Sequence, residues 1–414
     1  MQTGNRYALY WHAFFLAVTV SFTEVNTVMP ALILEAGGEE SLVGALTAVM
    51  VGLPLISQLI FAGFLHARHR KKPYLLLGIN LRVVALAGAA LGIARLGTSE
   101  GIIPVVFLSM AIFALSGAFA GVSYTDLVGK VVPHRERGGF FVNRQVATSL
   151  GLLVSAIATR VFLGATVFPE GYIVLFALAS GFLLLATGGF WMIREPLPAE
   201  TEANAESAGG RPSFRDAFRE VPEILRTDRN MRNLIALVNM AAPGFTAIPL
   251  VTALAHRSYD LNQTIVGTFV LVQIFGMLGS NVIWTRLVGR GGFRLVLRAE
   301  LLLLGVLFPL AFLAAGRLPV WGYGALYLVT GAVISAQRLG VEAVVVQIAP
   351  DAKRALYAGV FGAANLGTAV MPLVTGALVA NLGFPLVFGA ASLIALGGLV
   401  PLRSISCGEW YRNR

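Results

Sequence analysis

Apolar residues in this chain come in runs of about twenty, separated by short polar stretches, and the runs recur from Tyr7 almost to the C-terminus. A helix rising about 1.5 Å per residue needs about 20 such residues to cross a hydrocarbon core about 30 Å thick. The pattern therefore predicts membrane-crossing helices rather than the short alternating segments of a transmembrane barrel. Twelve spans are expected, the first six over 7–32, 41–65, 74–94, 102–124, 141–163 and 171–193. The second six are expected over 233–255, 265–284, 295–315, 320–337, 356–380 and 385–402. The fold class is then an all-α polytopic membrane protein with two six-helix halves, 1–194 and 233–414, joined by a central loop, 195–232.

That loop is the one long polar stretch. Pro196 to Gly210 is rich in Ala, Glu and Gly and has nothing to bury, which reads as a flexible linker. Ser213 with Asp216 three positions on resembles a capping box, and Phe214, Phe218 and Val221 follow at helical spacing with arginines between them. A short amphipathic helix on the membrane face is expected; a regulatory or partner-binding segment is the competing reading.

The halves repeat one plan. Pro133, Arg137 and Phe140 recur as Pro350, Arg354 and Tyr357, 217 positions later. Loops 63–72 and 285–294 share Leu at the third place, Arg at the sixth and a base at the tenth. Asp126 precedes Pro133 as Glu342 precedes Pro350. Carriers that move a solute through the seam between two halves are built from such repeats.

Composition agrees: 57% of residues are hydrophobic and 13% charged, against about 25% charged in a soluble domain. The net charge of +10 suggests nucleic acid, but position explains it. Arg95, Arg160, Arg257 and Arg317 fall on the side opposite the N-terminus and Arg82, Arg144 and Arg298 within spans, while the remaining bases sit on the N-terminal side. That bias puts both termini in the cytoplasm and argues for membrane lipid, not nucleic acid, as the partner. Cys407 is the single cysteine, so no intrachain disulfide forms. The first run carries Glu24 and Asn26 and reads as a retained span, not a cleaved signal. There is no phosphate-binding loop, metal-ligand spacing or activated nucleophile, so neither enzyme, metal nor cofactor is expected.

Several local marks resemble the major facilitator superfamily. Gly63 followed by Arg68, Arg70, Lys71 and Lys72 is similar to its first loop motif, with Ala67 and Arg70 in place of the motif's Asp and second Gly. Asn26 and Pro30 resemble the ending of the family's first span, and the run from Asp126 to Arg144 resembles the fourth-to-fifth junction of a bacterial branch of unassigned substrate. The resemblance implies a monomeric secondary transporter of the bacterial cytoplasmic membrane, moving a small organic solute by alternating access. The fourth span lacks the buried arginine, and the fifth the Gly-Pro pair, of drug/proton antiporters, which disfavours that branch.

Glu24 is the sharpest candidate for chemistry, because an ionisable group inside a span is costly unless it serves a pathway. Proton coupling through Glu24 competes with facilitated diffusion. On a continuous helix Ser21, Glu24 and Thr27 share one face and Asn26 lies opposite; the Glu24 face is taken as lumen, with Asn26 capping a distortion at Pro30. By the resemblance, Gln58, Asn239, Gln273, Asn365 and Thr368 line the cavity. Gly-Phe-Thr after Pro243 is expected to break the seventh span. Asp126, Arg137 and Arg144, with Glu342 and Arg354 in the other half, form either a cytoplasmic gate or ion pairs that stabilise loops. Arg82 reads as a member of a structural ion pair, or as a contact for an anionic solute. Gly88 with Gly92 and Gly117 with Gly121 read as close helix packing. The alternative function is a transporter-like receptor or assembly factor without solute flux, which the altered first loop favours.

Overall fold

The computed structural model describes residues 3–66, 70–97, 99–133, 136–195, 222–348, 357, 360, 361 and 364–405. Every regular element among them is helical, and ten helices are long and apolar enough to cross a membrane. The linker and the amphipathic segment expected from Ser213 lie outside the described residues. The chain divides into two compact units: Met1–Ala199 with Asp260–Leu271, and Glu200–Tyr259 with Val272–Arg414.

The first unit holds α1 (Thr3–Val20), α2 (Val28–Glu35), α3 (Glu40–Thr47), α4 (Leu53–His66), α5 (Lys72–Leu96), α6 (Ser99–Val131), α7 (Arg137–Ala165) and α8 (Glu170–Met192). A π-helical stretch, Ala48–Gly52, joins α3 to α4 just before Pro54. Helix α1 packs between α7 and α8, and glycines permit the approach. A Cβ at Gly151 would meet the Phe14 carbonyl and Ala17 at 2.9 Å, and one at Gly189 would meet the Ala8 carbonyl. Small residues of this kind let backbones close in the absence of a hydrophobic drive between helices. Helix α5 lies against α6 at Gly78, facing the Ser116 carbonyl, and at Gly92, facing Val105. A Cβ at Gly88 or Gly121 would meet open space instead, so each expected glycine pair contributes one member to packing, Gly92 against Val105 and Gly117 against Arg82.

The second unit holds α9 (Arg229–Ser258), most of α10 (Gln263–Ala314), α11 (Val320–Gly324), α12 (Leu326–Ile348), α13 (Met371–Leu382), α14 (Phe384–Gly397) and α15 (Leu399–Arg403). Asp228 caps α9, accepting the Met231 N–H at 3.0 Å and the Tyr357 hydroxyl at 2.9 Å. The seventh span does not break where expected. Pro243 and Pro249 sit inside a continuous α9, with Thr246 Oγ1 donating to the carbonyl of Pro243 at 3.1 Å. Helix α12 crosses α10 through Gly331, against Gln273 and Met277, and through Gly276, against Leu328.

The expected eighth and ninth spans form one 52-residue helix, α10, interrupted at Gly291 and Gly292. At about 1.5 Å per residue a straight helix of that length would far exceed the membrane core. Gly292 has φ 67°, a left-handed conformation suited to glycine, and it turns the chain there. Of the expected eleventh span, a 3-10 stretch, Leu366–Ala369, and the twelve-residue α13 are described.

Candidate functional site

The first span is broken in its C-terminal half, and Glu24 holds the break together. After Val20 the helix tightens into a 3-10 turn, Ser21–Thr23; Glu24 is extended (φ −65°, ψ 121°) and α2 resumes at Val28. Backbone groups freed in hydrocarbon need internal partners. The Glu24 carboxylate supplies them: Oε2 accepts the Asn26 N–H at 2.7 Å and the Thr27 hydroxyl at 2.8 Å, and Oε1 accepts Asn26 Nδ2 at 2.8 Å. Glu24 is 8% exposed.

This corrects two expectations. Asn26 does not cap a distortion at Pro30, which sits in the first turn of α2, where its missing N–H costs nothing. Nor do Glu24 and Asn26 diverge. The helical wheel assumed an unbroken helix; with the break between them, the two side chains meet. Protonation would turn one acceptor oxygen into a donor while three donors point at the carboxylate.

Deeper toward the N-terminal end of α1, the same unit gathers cations and rings. The Arg82 guanidinium lies 4.0 Å from the Phe113 ring centre, in room left by Gly117, whose added Cβ would come within 3.3 Å of it. Arg144 lies 5.4 Å from the Tyr124 ring centre. Beside Tyr124, His12 donates through Nδ1 to the Ala186 carbonyl at 3.2 Å and lies tilted against Phe190 at 4.0 Å and Tyr124 at 5.8 Å. Tyr10 stacks on Phe140 at 5.4 Å. Among the described residues neither arginine meets a carboxylate, so the structural ion pair expected for Arg82 is absent. A charge at mid-membrane costs about 2.5–3.5 kcal/mol, of which a ring contact returns about 0.5–2 kcal/mol.

In the second unit the sequence candidates Asn239, Asn365 and Thr368 come together. Asn239 Nδ2 donates to Asn365 Oδ1 at 3.0 Å and to the Ile235 carbonyl at 2.9 Å, and Thr368 Oγ1 donates to the Asn365 carbonyl at 2.6 Å. The 3-10 stretch begins at the next residue, Leu366, so this unit too places amides at a helix irregularity. Gln273 stands apart on α10, 1% exposed, with its Oε1 unpartnered. The side chains of Gln58, Asp126, Arg137 and Glu342, and all of Arg354, lie outside the described residues; Arg144 is the one member of the expected gate that is described.

Sequence reasoning places Glu300 within the ninth span as buried or nearly so, without giving it a role, and misses two further features, Glu35 and Glu195. Glu300 is fully buried on α10 with neither carboxylate oxygen partnered. Glu35 accepts the Tyr172 hydroxyl at 2.9 Å at the far end of the first span. Glu195, just past α8, accepts the N–H groups of Lys71 and Lys72 at 2.9 and 3.0 Å and Lys130 Nζ at 3.2 Å. It caps α5, while Lys72 Nζ donates to the carbonyl of Ile193 at 2.8 Å and Lys71 Nζ to that of Leu65. An acid from the end of the sixth span thus serves the loop where the family motif's Asp is replaced by Ala67. A lone Glu beside a helix end was the available signal.

The family model of the Major Facilitator Superfamily matches residues 13–362. No curated protein matches. Among solved structures, a POT family transporter in complex with 5-aminolevulinic acid is 14% identical, with 97% of this chain and 96% of that one covered and a TM-score of 0.71. The inward-open xylose transporter XylE from E. coli is 15% identical, with 99% and 96% covered and a TM-score of 0.64. A D-xylose-proton symporter is 16% identical, with 98% and 97% covered and a TM-score of 0.66. At these identities the likeness is one of fold.

Proposed function

The chain belongs to the major facilitator superfamily, and we propose that it is a secondary active transporter moving a small organic solute by alternating access, with Glu24 as its proton-coupling group. The observation that carries this reading is the broken first span, where a buried carboxylate accepts three hydrogen bonds from the break itself. Discontinuous helices near the midplane are the elements from which transporters build solute and ion sites. The Asn239, Asn365 and Thr368 cluster beside the 3-10 stretch supplies a polar surface in the second unit, and Gln58 and Gln273 complete the set of solute contacts.

The same reading takes the two parts of α10 as separate crossings and α13 as the end of another, giving twelve spans in halves 1–194 and 233–414. The bias of Lys and Arg supports cytoplasmic termini and a bacterial cytoplasmic membrane. Asp126, Arg137, Arg144, Glu342 and Arg354 act as the cytoplasmic gate in this scheme. The symporter and the POT transporter in the comparison carry xylose with protons and bind 5-aminolevulinic acid, which supports a small polar solute here.

The test is solute flux in proteoliposomes with and without an imposed pH gradient. Wild-type flux should follow the gradient, and Glu24→Gln should retain exchange of solute but lose the response. Gradient-driven flux in that variant would remove Glu24 from coupling. Absence of any flux from a folded protein would favour the receptor reading.

A further inference from the structure

Among the described residues of the first unit, six buried polar side-chain atoms have no hydrogen-bond partner: Tyr10 Oη, Ser21 Oγ, Arg82 Nε, Tyr124 Oη, Arg144 Nε and Ser155 Oγ. Every one of them carries hydrogen. Among the described residues, what this interior lacks is free acceptors. The intramembrane acids Glu24 and Glu35 are engaged elsewhere, the first by Asn26 and Thr27 and the second by Tyr172. Two of the unpartnered donors are guanidinium groups, which match the paired oxygens of a carboxylate, sulfonate or phosphate.

Resting on the transporter reading, we infer that the solute is an organic oxyanion, bound in the first unit at two stations along α6. Arg144, beside Tyr124, stands at the edge of its span, and Arg82, between Phe113 and Gly117, stands at mid-span. Gly117 and Tyr124 are seven positions apart, about 10 Å along a helix. One small anion therefore meets one guanidinium at a time. Tyr10 and Tyr124 contribute hydroxyls near the Arg144 station, and His12 lies against Tyr124 there, ring centres 5.8 Å apart. The walls are rings: Phe113, Tyr124, Phe140 and Phe190 accompany the donors, so the body of the solute is aromatic or otherwise apolar. Gly117 belongs to this site, since its missing side chain is the space that the Arg82 guanidinium fills.

Thermal unfolding of the purified full-length protein tests the assignment with benzoate, benzenesulfonate, phenyl phosphate and inorganic phosphate. Benzamide, benzenesulfonamide and phenol are the uncharged counterparts. At least one anion should raise Tm with a saturable concentration dependence that its neutral counterpart lacks. Arg82→Gln should abolish that rise, and Arg144→Gln should move the half-saturating concentration upward at least about tenfold, the loss expected of one charge-assisted contact. Unchanged gel-filtration elution and circular dichroism show that each variant is folded. Where Arg82→Gln aggregates, Arg82→Lys is read in its place; it keeps the charge but not the fork, and the response should weaken.

No stabilisation by any of the four anions, equal stabilisation by the neutral partners, or an unchanged response in the arginine variants would each overturn the assignment. Anion-dependent stabilisation without flux in proteoliposomes would leave the site intact and remove the transporter reading. Flux of a neutral solute, indifferent to both arginines, would do the reverse.

Discussion

Among the described residues, all six unpartnered buried polar atoms of the first unit carry hydrogen and two belong to arginines, whereas in the second unit four of seven are oxygens that only accept. Those four are Gln273 Oε1, Gln337 Oε1 and both oxygens of Glu300, accompanied by the indole N–H of Trp284, Asn233 Nδ2 and Ser392 Oγ. Among the described residues the first unit's interior has a surplus of donors and positive charge, and the second unit's a surplus of acceptors with a buried acid. The two interiors therefore differ in chemistry although both are built of apolar helices.

The frame itself is the place to strike hardest. Gly151→Leu in the first unit and Gly331→Leu in the second each drive a side chain into a backbone carbonyl across a helix crossing, and each should cost about 3 kcal/mol. Equal losses in thermal unfolding would show that both units rely on close crossings alike; a loss in one alone would break the symmetry of the scaffold.

The chemical asymmetry predicts a gain. Glu300 has no partner to lose, so Glu300→Met should stabilise the protein by about 2 kcal/mol, read as a higher Tm. A destabilised Glu300→Met would mean that the acid is held by an interaction like those in the first unit. Glu195→Ala should cost about 1 kcal/mol by uncapping α5. Proteolysis should then become faster at the start of α5 while the second unit keeps its resistance. Smallest of all, a double-mutant cycle on Asn239→Ala and Asn365→Ala should give a coupling of about 0.6 kcal/mol, the usual worth of an interhelical hydrogen bond in a membrane. A coupling several times larger would make that pair more than glue.

Much of this was legible in the chain. Runs of apolar residues mark the spans because nothing else can cross hydrocarbon, and Glu24, Asn239 and Asn365 announced themselves as polar groups within those runs. What the chain did not disclose depends on how helices rotate against one another. Tyr10, His12 and Tyr124 belong to spans one and four, and their meeting follows from which glycines seat α1 between α7 and α8. The break at Glu24 was expected further along, at Pro30, since proline is the visible signal. In the event a side chain, not a ring, directs it. The seventh span runs unbroken through both Pro243 and Pro249, so proline alone did not mark a break there. Arg82 drew an ion pair from general experience, but its environment proved to be a phenyl ring and an empty glycine.

The Glu195 cap has a practical meaning for taking the molecule apart. Glu195 is the last described residue before the polar stretch at 196–221, and its carboxylate ties the end of the sixth span to the starts of the third and, through Lys130, to the end of the fourth. A gene divided after codon 195 would give an N-terminal fragment that carries its own fastening, ready to be combined with a separately made C-terminal fragment. A division only a few codons earlier would remove that carboxylate and leave the N-terminal end of the third span without its cap.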